Sequence, residues 1–168
     1  HDPLRRQRQM CIRDRSVLRP LELTAGLDAV FSSPIFGAGI DRQRVSAFRF
    51  SLGGVTVLAA AGGRMNGSLS AEHCSNNAQA DLGFCVGKPG GVPMPIWLRR
   101  RRAVCRVPPV NLDQDLYNRR FQLRVLAAPA GLPFDDLSAV TVPVMLPRVG
   151  ADVTLRFPYH AQRLHLLL

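Results

Sequence analysis

The stretch Ala47–Gly63, "AFRFSLGGVTVLAAAGG", decides the fold, because it joins a strand pattern to a helix pattern across a serine. The apolar run Val45–Phe50 predicts a short strand, and the small residues of Leu52–Ala61 predict a helix that packs closely on a sheet. Ser51 therefore stands at a strand-to-helix turn. Such a serine is either a nucleophile on a sharp turn or a hydroxyl that caps the helix, and the pattern leaves both open.

A nucleophile elbow needs small residues two positions before and two positions after the serine, because these positions nearly touch across the turn. Gly53 satisfies the downstream position, and Gly54 follows it. Arg49 occupies the upstream position, where glycine is usual. We expect the long arginine side chain either to distort the turn or to clash with the following helix.

Short strands and helices alternate along the rest of the chain, an order that is typical of an α/β fold with a parallel sheet. Residues 64 to about 118 are polar and irregular and predict a long lid insertion. We expect about three parallel strands with flanking helices in one domain, residues 16–168. The other predicted elements are helix 21–33 with Leu23, Leu27, Val30 and Phe31 on one face, strand 122–128, a short helix within 134–140, strand 142–149 and helix 159–168.

A carboxylate follows the strand at 142–149. Asp152 lies in "GAD", on the loop where that strand ends. In serine hydrolases in which a serine joins a strand to a helix, the acid follows a later strand. A carboxylate at that place can orient an imidazole that takes the proton of the serine. Asp152 is therefore the candidate acid partner of Ser51.

Five segments carry a family resemblance and occur in the family's order: "RPLELTAGLDAV", "FGAGIDRQRVSAFRFSLGGVTVLAAAGG", "AEHC", "LRVLAAPAG" and "LSAVTVPVMLPRVGADVTLRFPYHAQRL". Residues Arg19–Leu168 resemble the C-terminal half of an α/β-hydrolase of the predicted dienelactone hydrolase group, which is related to platelet-activating-factor acetylhydrolases. The resemblance implies a partial α/β-hydrolase fold. It also implies a serine hydrolase of carboxylic esters or lactones that needs neither cofactor nor metal.

The resemblance assigns the roles at the site. It implies that Ser51 is the nucleophile, that the Leu52 N–H is an oxyanion donor and that Asp152 is the triad acid. The family's histidine is expected beyond Leu168, so we expect this chain to be an inactive fragment. A non-catalytic binding protein on a hydrolase scaffold is the alternative, in which Arg49 and the missing histidine are genuine.

The histidines within the chain are expected to have no part in catalysis. His160 and His165 follow Asp152 too closely for a helix and a strand to intervene, and both fall on the predicted terminal helix. We expect them at the surface or on a helix face. His73, in the predicted lid, is expected to be a solvated loop residue.

The formal charge of +10 raises the question of a nucleic-acid partner. Of the 22 basic residues only Lys88 is lysine, a bias that a GC-rich coding sequence produces without any need for phosphate contacts. We therefore expect the Arg99–Arg102 run to be a solvated face. No apolar run reaches the length of a membrane span and no signal peptide is visible, so we expect a soluble chain. The family resemblance implies a small-molecule ester or lactone as the substrate. Compartment and oligomeric state stay open.

The four cysteines, at positions 11, 74, 85 and 105, form no C-x-x-C pair, which argues against a zinc site of that type. Cys74 and Cys85 either form a disulfide or are both reduced. One further segment is unusual: Gln9–Arg15, "QMCIRDR", resembles a translated sequencing adapter. We therefore expect residues 1–15 to be a disordered artefact.

Overall fold

The computed structural model describes residues 12–86, 116–127 and 129–168, with side chains from Val17 onward. Helices and strands alternate along these residues. In chain order they are α1 (Ile12–Phe31), β1 (Val45–Phe50), α2 (Leu52–Ala59), β2 (Arg64–Met65), α3 (Leu69–Asn77), α4 (Leu82–Cys85), β3 (Phe121–Ala127), β4 (Phe134–Asp136), β5 (Val144–Met145) and α5 (Ala161–Leu167), with a 3₁₀ turn at Gly37–Gly39.

The central sheet has three parallel strands in the order β1–β3–β5. The β1–β3 register runs from Val45 opposite Phe121 to Phe50 opposite Ala127. The sheet therefore has two edge strands, β1 and β5. The expected α/β class and the expected three parallel strands are confirmed, and β1 has the predicted bounds.

Helix α2 covers one face of the sheet and is itself covered by α1. All residues from Gly54 to Ala59 are buried, and Val57 and Leu58 have no exposed surface. Helix α1 buries Val17 and Phe31 against this layer. The predicted inward face of this helix is wrong at Val30, which is 40% exposed.

The opposite face of the sheet carries apolar side chains that remain exposed. Phe48 and Phe50 alternate with residues on the covered face of β1, as the pleat requires. They are 65% and 61% exposed, and Met145 on β5 is 59% exposed. Parallel sheets are normally covered on both faces, so this face is atypical of an isolated domain.

Tertiary pairing overrides the short helix predicted within residues 134–140. Residues 134–136 instead form β4, which pairs antiparallel with β2: Met65 lies opposite Phe134. The charged side chains agree with this pairing, because Arg64 Nε binds Asp135 Oδ1 at 3.2 Å. Residues 64–86, predicted to be irregular, contain β2, α3 and α4.

Two further boundaries differ from the sequence prediction. Strand β5 is shorter than 142–149, since Pro143 and Pro147 flank Val144–Met145 and proline cannot donate to a sheet ladder. Helix α1 begins at Ile12 and continues through Pro20, so the expected disorder of residues 1–15 is wrong at residues 12–15, which are helical. Residues 1–11 lie outside the described residues.

Within the described ranges, no helix has both the length and the apolar character that crossing a bilayer requires. Lys88 and the Arg99–Arg102 run lie outside these ranges, so their expected solvated role stays a prediction.

A substitution at Gly54 tests the packing of α2 on the sheet. A Cβ at this position would lie 2.9 Å from Pro129 Cβ, closer than real side chains approach. We expect Gly54→Ala to lower the free energy of unfolding by about 1–3 kcal/mol, measured by denaturant titration.

Gly26→Ala is the matched control, because Gly26 is exposed on α1 and a Cβ there would meet nothing within 4 Å. It should raise the stability by up to about 1 kcal/mol through helix propensity. Equal effects of the two alanines would contradict this packing.

Candidate functional site

Ser51 lies at a sharp turn between β1 and α2. Its backbone has φ 55° and ψ −125°, and it is the one residue other than glycine with a positive φ in the described ranges. A side chain in this region costs about 1–3 kcal/mol and persists only where the surroundings impose it. Two hydrogen bonds impose it here: Ser51 N–H donates to the Ala127 carbonyl at 3.0 Å, and Gly54 N–H donates to the Ser51 carbonyl at 2.9 Å.

The Ser51 hydroxyl does not cap the helix that it precedes. Its side chain makes no capping hydrogen bond to α2, and Ser51 is partly exposed. As the first residue of the helix, Leu52 has an N–H without an intrahelical acceptor. Of the two interpretations of this serine, the geometry therefore favours the exposed hydroxyl on a sharp turn over the N-cap.

Arg49 neither breaks the turn nor clashes with α2. A Cβ on Gly53 would lie 3.1 Å from Arg49 Cβ and 3.3 Å from Arg49 Cδ, so the arginine stem passes directly over the glycine. Because position 53 has no side chain, the stem fits and its charged end stays exposed. The expected clash is therefore wrong, and the downstream glycine is what relieves it.

Asp152 lies on the loop after β5, on the same sheet as Ser51. Its Oδ1 accepts hydrogen bonds from the Thr154 and Leu155 N–H groups, at 2.8 and 2.9 Å. Strand β3 lies between β1 and β5, which separates the two strands by roughly 10 Å. The loop of the candidate acid therefore follows a strand that is separated from the serine strand by one other strand.

A buried cluster of His73, Asp81 and His160, here called the histidine–aspartate cluster, lies among α3, α4 and the start of α5. His73 Nε2 and His160 Nε2 approach the same oxygen, Asp81 Oδ2, at 3.0 and 3.2 Å. Asp81 and His160 are fully buried, and His73 keeps 9% of its side chain exposed. The imidazole of His73 packs edge-on against Tyr159, with ring centroids 4.8 Å apart, and that of His160 packs at a tilt against Phe84, with centroids 4.7 Å apart.

The hydrogen bonds around His160 define its neutral form. Gly131 N–H donates to His160 Nδ1 at 3.3 Å, so the ring proton lies on Nε2 and is donated to Asp81. Burial lowers the pKa of His160 below its ordinary value of 6.5, and the smaller opposing effect is the Asp81 charge. The buried His160 therefore stays neutral at pH 7.

The sequence did not predict this cluster. His73 is a helix residue bound to Asp81 and not a solvated loop residue, and His160 is buried and not at the surface. Of the three described histidines, only His165 is exposed. The one available signal was the spacing of His73, Asn77 and Asp81, at every fourth position. The pairing of Asp81 with His160 spans 79 positions and leaves no local pattern.

A disulfide joins Cys74 on α3 to Cys85 on α4, which is one of the two states that the sequence left open. The loop that carries Asp152 packs on this disulfide-linked pair of helices. Arg156 Nη1 donates to the Ala80 carbonyl at 2.8 Å, and a Cβ on Gly83 would overlap the Val153 carbonyl. Cys11 and Cys105 lie outside the described residues.

Comparisons with known proteins give no match to a family model, to a curated protein or to a solved structure.

The lowered pKa of His160 predicts acid sensitivity. In the unfolded chain this histidine takes up a proton near pH 6.5, and in the folded chain only at lower pH. Below about pH 6.5 the unfolded state binds more protons, so stability falls as the pH falls. We expect His160→Gln to flatten this part of the stability–pH curve. His165→Gln, at an exposed position, should leave the slope unchanged, and the reverse pattern would contradict a neutral buried His160.

The contact between Arg49 and Gly53 predicts an energetic coupling. Gly53→Ala should be tolerated worse with Arg49 present than in an Arg49→Gly background, because the alanine methyl would press on the arginine stem. We expect a coupling free energy of at least about 0.5 kcal/mol from a double-mutant cycle of denaturant melts. Strict additivity would show that the two positions do not touch.

Proposed function

We propose that this chain carries the nucleophile of a serine hydrolase that acts on carboxylic esters or lactones, as its resemblance to dienelactone hydrolases implies. The backbone of Ser51 is the observation that carries the proposal: φ is 55° at a strand-to-helix junction, with no capping hydrogen bond from the side chain. An ordinary N-cap serine has an extended backbone, and its side-chain oxygen accepts a hydrogen bond from a backbone N–H of the first helical turn. The N-cap role therefore does not explain the backbone of Ser51. Presentation of a nucleophilic hydroxyl is a reason for this backbone.

The proposed chemistry is acyl transfer through Ser51. Its Oγ bonds to the ester carbonyl carbon while a base takes the hydroxyl proton, and the negative charge moves to the carbonyl oxygen. The Leu52 N–H is the first donor to that oxygen. Collapse of the tetrahedral species expels the alcohol, which receives the proton, and water then releases the acid. No cofactor takes part.

Asp152 is proposed to orient the imidazole of that base. One of its oxygens is held by two backbone N–H groups, and Oδ2 makes no hydrogen bond to any described residue. None of the histidines at 73, 160 and 165 hydrogen-bonds to Ser51 or Asp152 in the described ranges. We extend the proposal to a lid role for residues 64–118, of which 64–86 and 116–118 are described. The first of these parts borders the Asp152 loop through the hydrogen bond from Arg156 to the Ala80 carbonyl.

A binding protein on a hydrolase scaffold is the second candidate. Two observations favour it: Arg49 lies over Gly53 at the turn, and no described histidine serves the serine. A binding protein would keep the fold of the turn without the reactivity of the hydroxyl.

Labelling with a fluorophosphonate probe separates these candidates. In the hydrolase, Ser51 Oγ displaces fluoride from phosphorus, and added imidazole should accelerate the reaction by accepting the proton. We expect the label on the tryptic peptide Phe50–Arg64, in which Ser51 is the only serine. Ser51→Ala should abolish this label.

Ser46→Ala is the matched control, because Ser46 is an exposed serine of the same strand. It should label like the parent chain. Equal labelling of Ser51→Ala, or a parent chain that stays unlabelled in imidazole, would overturn the hydrolase proposal and leave the binding protein.

A further inference from the structure

The disulfide lies beside the histidine–aspartate cluster. A ring nitrogen of His73, a carboxylate oxygen of Asp81 and the Sγ atom of Cys85 all lie within 4.8 Å of one another. These three atom types are the ligands that zinc takes in proteins. A sulfur within a disulfide is not a thiolate, however, and metal binding requires the thiolate. The bond between Cys74 and Cys85 therefore blocks one member of a possible ligand set.

We propose that reduction of the Cys74–Cys85 disulfide creates a binding site for Zn²⁺ or a similar divalent cation. The ligands are His73, Asp81 and the Cys85 thiolate, and the fourth position is open to water. Nitrogen and sulfur donors favour zinc or cobalt over magnesium or calcium, which prefer oxygen. The inference concerns a site other than Ser51 and does not depend on hydrolysis.

The redox step balances with a dithiol as the reductant. Two electrons pass from the dithiol to the S–S bond, the dithiol closes to its own disulfide, and its two protons end on the sulfurs of Cys74 and Cys85. The metal then displaces the proton of the Cys85 thiol, which passes to solvent. Binding of the metal is therefore linked to both reduction and pH.

Asp81 has a carboxylate oxygen that a metal could bind. It is fully buried, and Oδ1 has no hydrogen-bond partner. A buried oxygen without a partner is destabilising, and a cation would satisfy it. Oδ2 accepts from His160 Nε2, a contact that holds the carboxylate in place. Outer hydrogen bonds of this kind orient the ligands of metal sites.

His73 can present its Nε2 lone pair after a change of tautomer. Nε2 faces Asp81 at 3.0 Å, and Nδ1 lies 3.5 Å from the side-chain amide of Asn77. With the proton moved to Nδ1, the Asn77 amide oxygen can accept it after the amide group rotates. The ring then keeps a partner on its outer side while Nε2 binds the metal.

The ligand atoms need only a short movement to meet a metal. Bond lengths of about 2.0–2.3 Å place the ligand atoms of a tetrahedral zinc about 3.3–3.7 Å apart, so the widest present separation closes by about 1 Å. Cys85 is the last residue of the short helix α4. Breaking the disulfide frees its side chain to rotate toward His73 and Asp81.

Cobalt titration tests the site, since Co²⁺ replaces Zn²⁺ and is coloured. All proteins carry Cys11→Ser and Cys105→Ser, so that Cys74 and Cys85 are the only cysteines left to bind the metal. The parent is reduced with dithiothreitol and desalted under nitrogen. We expect the reduced chain to bind one equivalent of Co²⁺ with a thiolate-to-cobalt charge-transfer band, and the oxidised chain to show none. A reduced chain without this band overturns the proposal, whatever the variants do.

Two serine variants form a matched pair, because both remove the disulfide and only one keeps the proposed ligand. Cys74→Ser should bind Co²⁺ without reductant. Cys85→Ser should bind at least about 100-fold more weakly, since loss of a direct ligand exceeds the 10–100-fold loss typical of outer contacts. His73→Gln should weaken binding similarly, and His165→Gln should not. Equal affinities of the two serine variants would overturn the proposal, as would tight binding by the oxidised chain.

Discussion

The close approach of α2 to the ends of β1 and β3 is the constraint on which this structure depends. Gly53 lies under the stem of Arg49, where a Cβ would force the arginine to shift, and Gly54 lies against Pro129, at a distance closer than real side chains approach. The hydrogen bond from Ser51 N–H to the Ala127 carbonyl, at the end of β3, fixes the turn that joins β1 to α2. At this close approach the serine has a positive φ, and its side chain makes no capping hydrogen bond to the helix. The close packing at Gly53 and Gly54 thus allows the turn at Ser51, and the proposed chemistry depends on the hydroxyl of that serine.

A second constraint is the buried carboxylate of Asp81. A charge without exposed surface must be compensated, and two imidazole N–H groups from distant parts of the chain share its Oδ2. This pairing joins α3 and α4 to the beginning of α5. Burial keeps His160 neutral and its lone pair is used by Gly131, so the cluster has a defined pattern of donors and acceptors. Polar networks of this kind specify one arrangement because alternatives leave a buried group unpaired.

The helices that carry the histidine–aspartate cluster also support the loop after β5. Asp152 folds its own loop through two backbone hydrogen bonds, and the same loop packs on Gly83 and binds the Ala80 carbonyl through Arg156. The position of the candidate acid therefore depends on the helix pair that the disulfide joins. Cys85 and Asp152 belong to separate proposed sites, yet both depend on the position of the disulfide-linked helices α3 and α4.

Local pattern determined the parts of the fold that depend on neighbouring residues. The apolar run at 45–50, the small-residue helix after it and the turn at Ser51 are visible in the sequence, because periodicity and glycine placement act over a few residues. Tertiary structure alone decided the rest. Residues 134–136 became a strand because Arg64 and Met65 pair with them, and β5 shortened because prolines bound it. His160 came to Asp81 across 79 positions, since a buried carboxylate is satisfied by whichever donors the packing of distant helices brings to it.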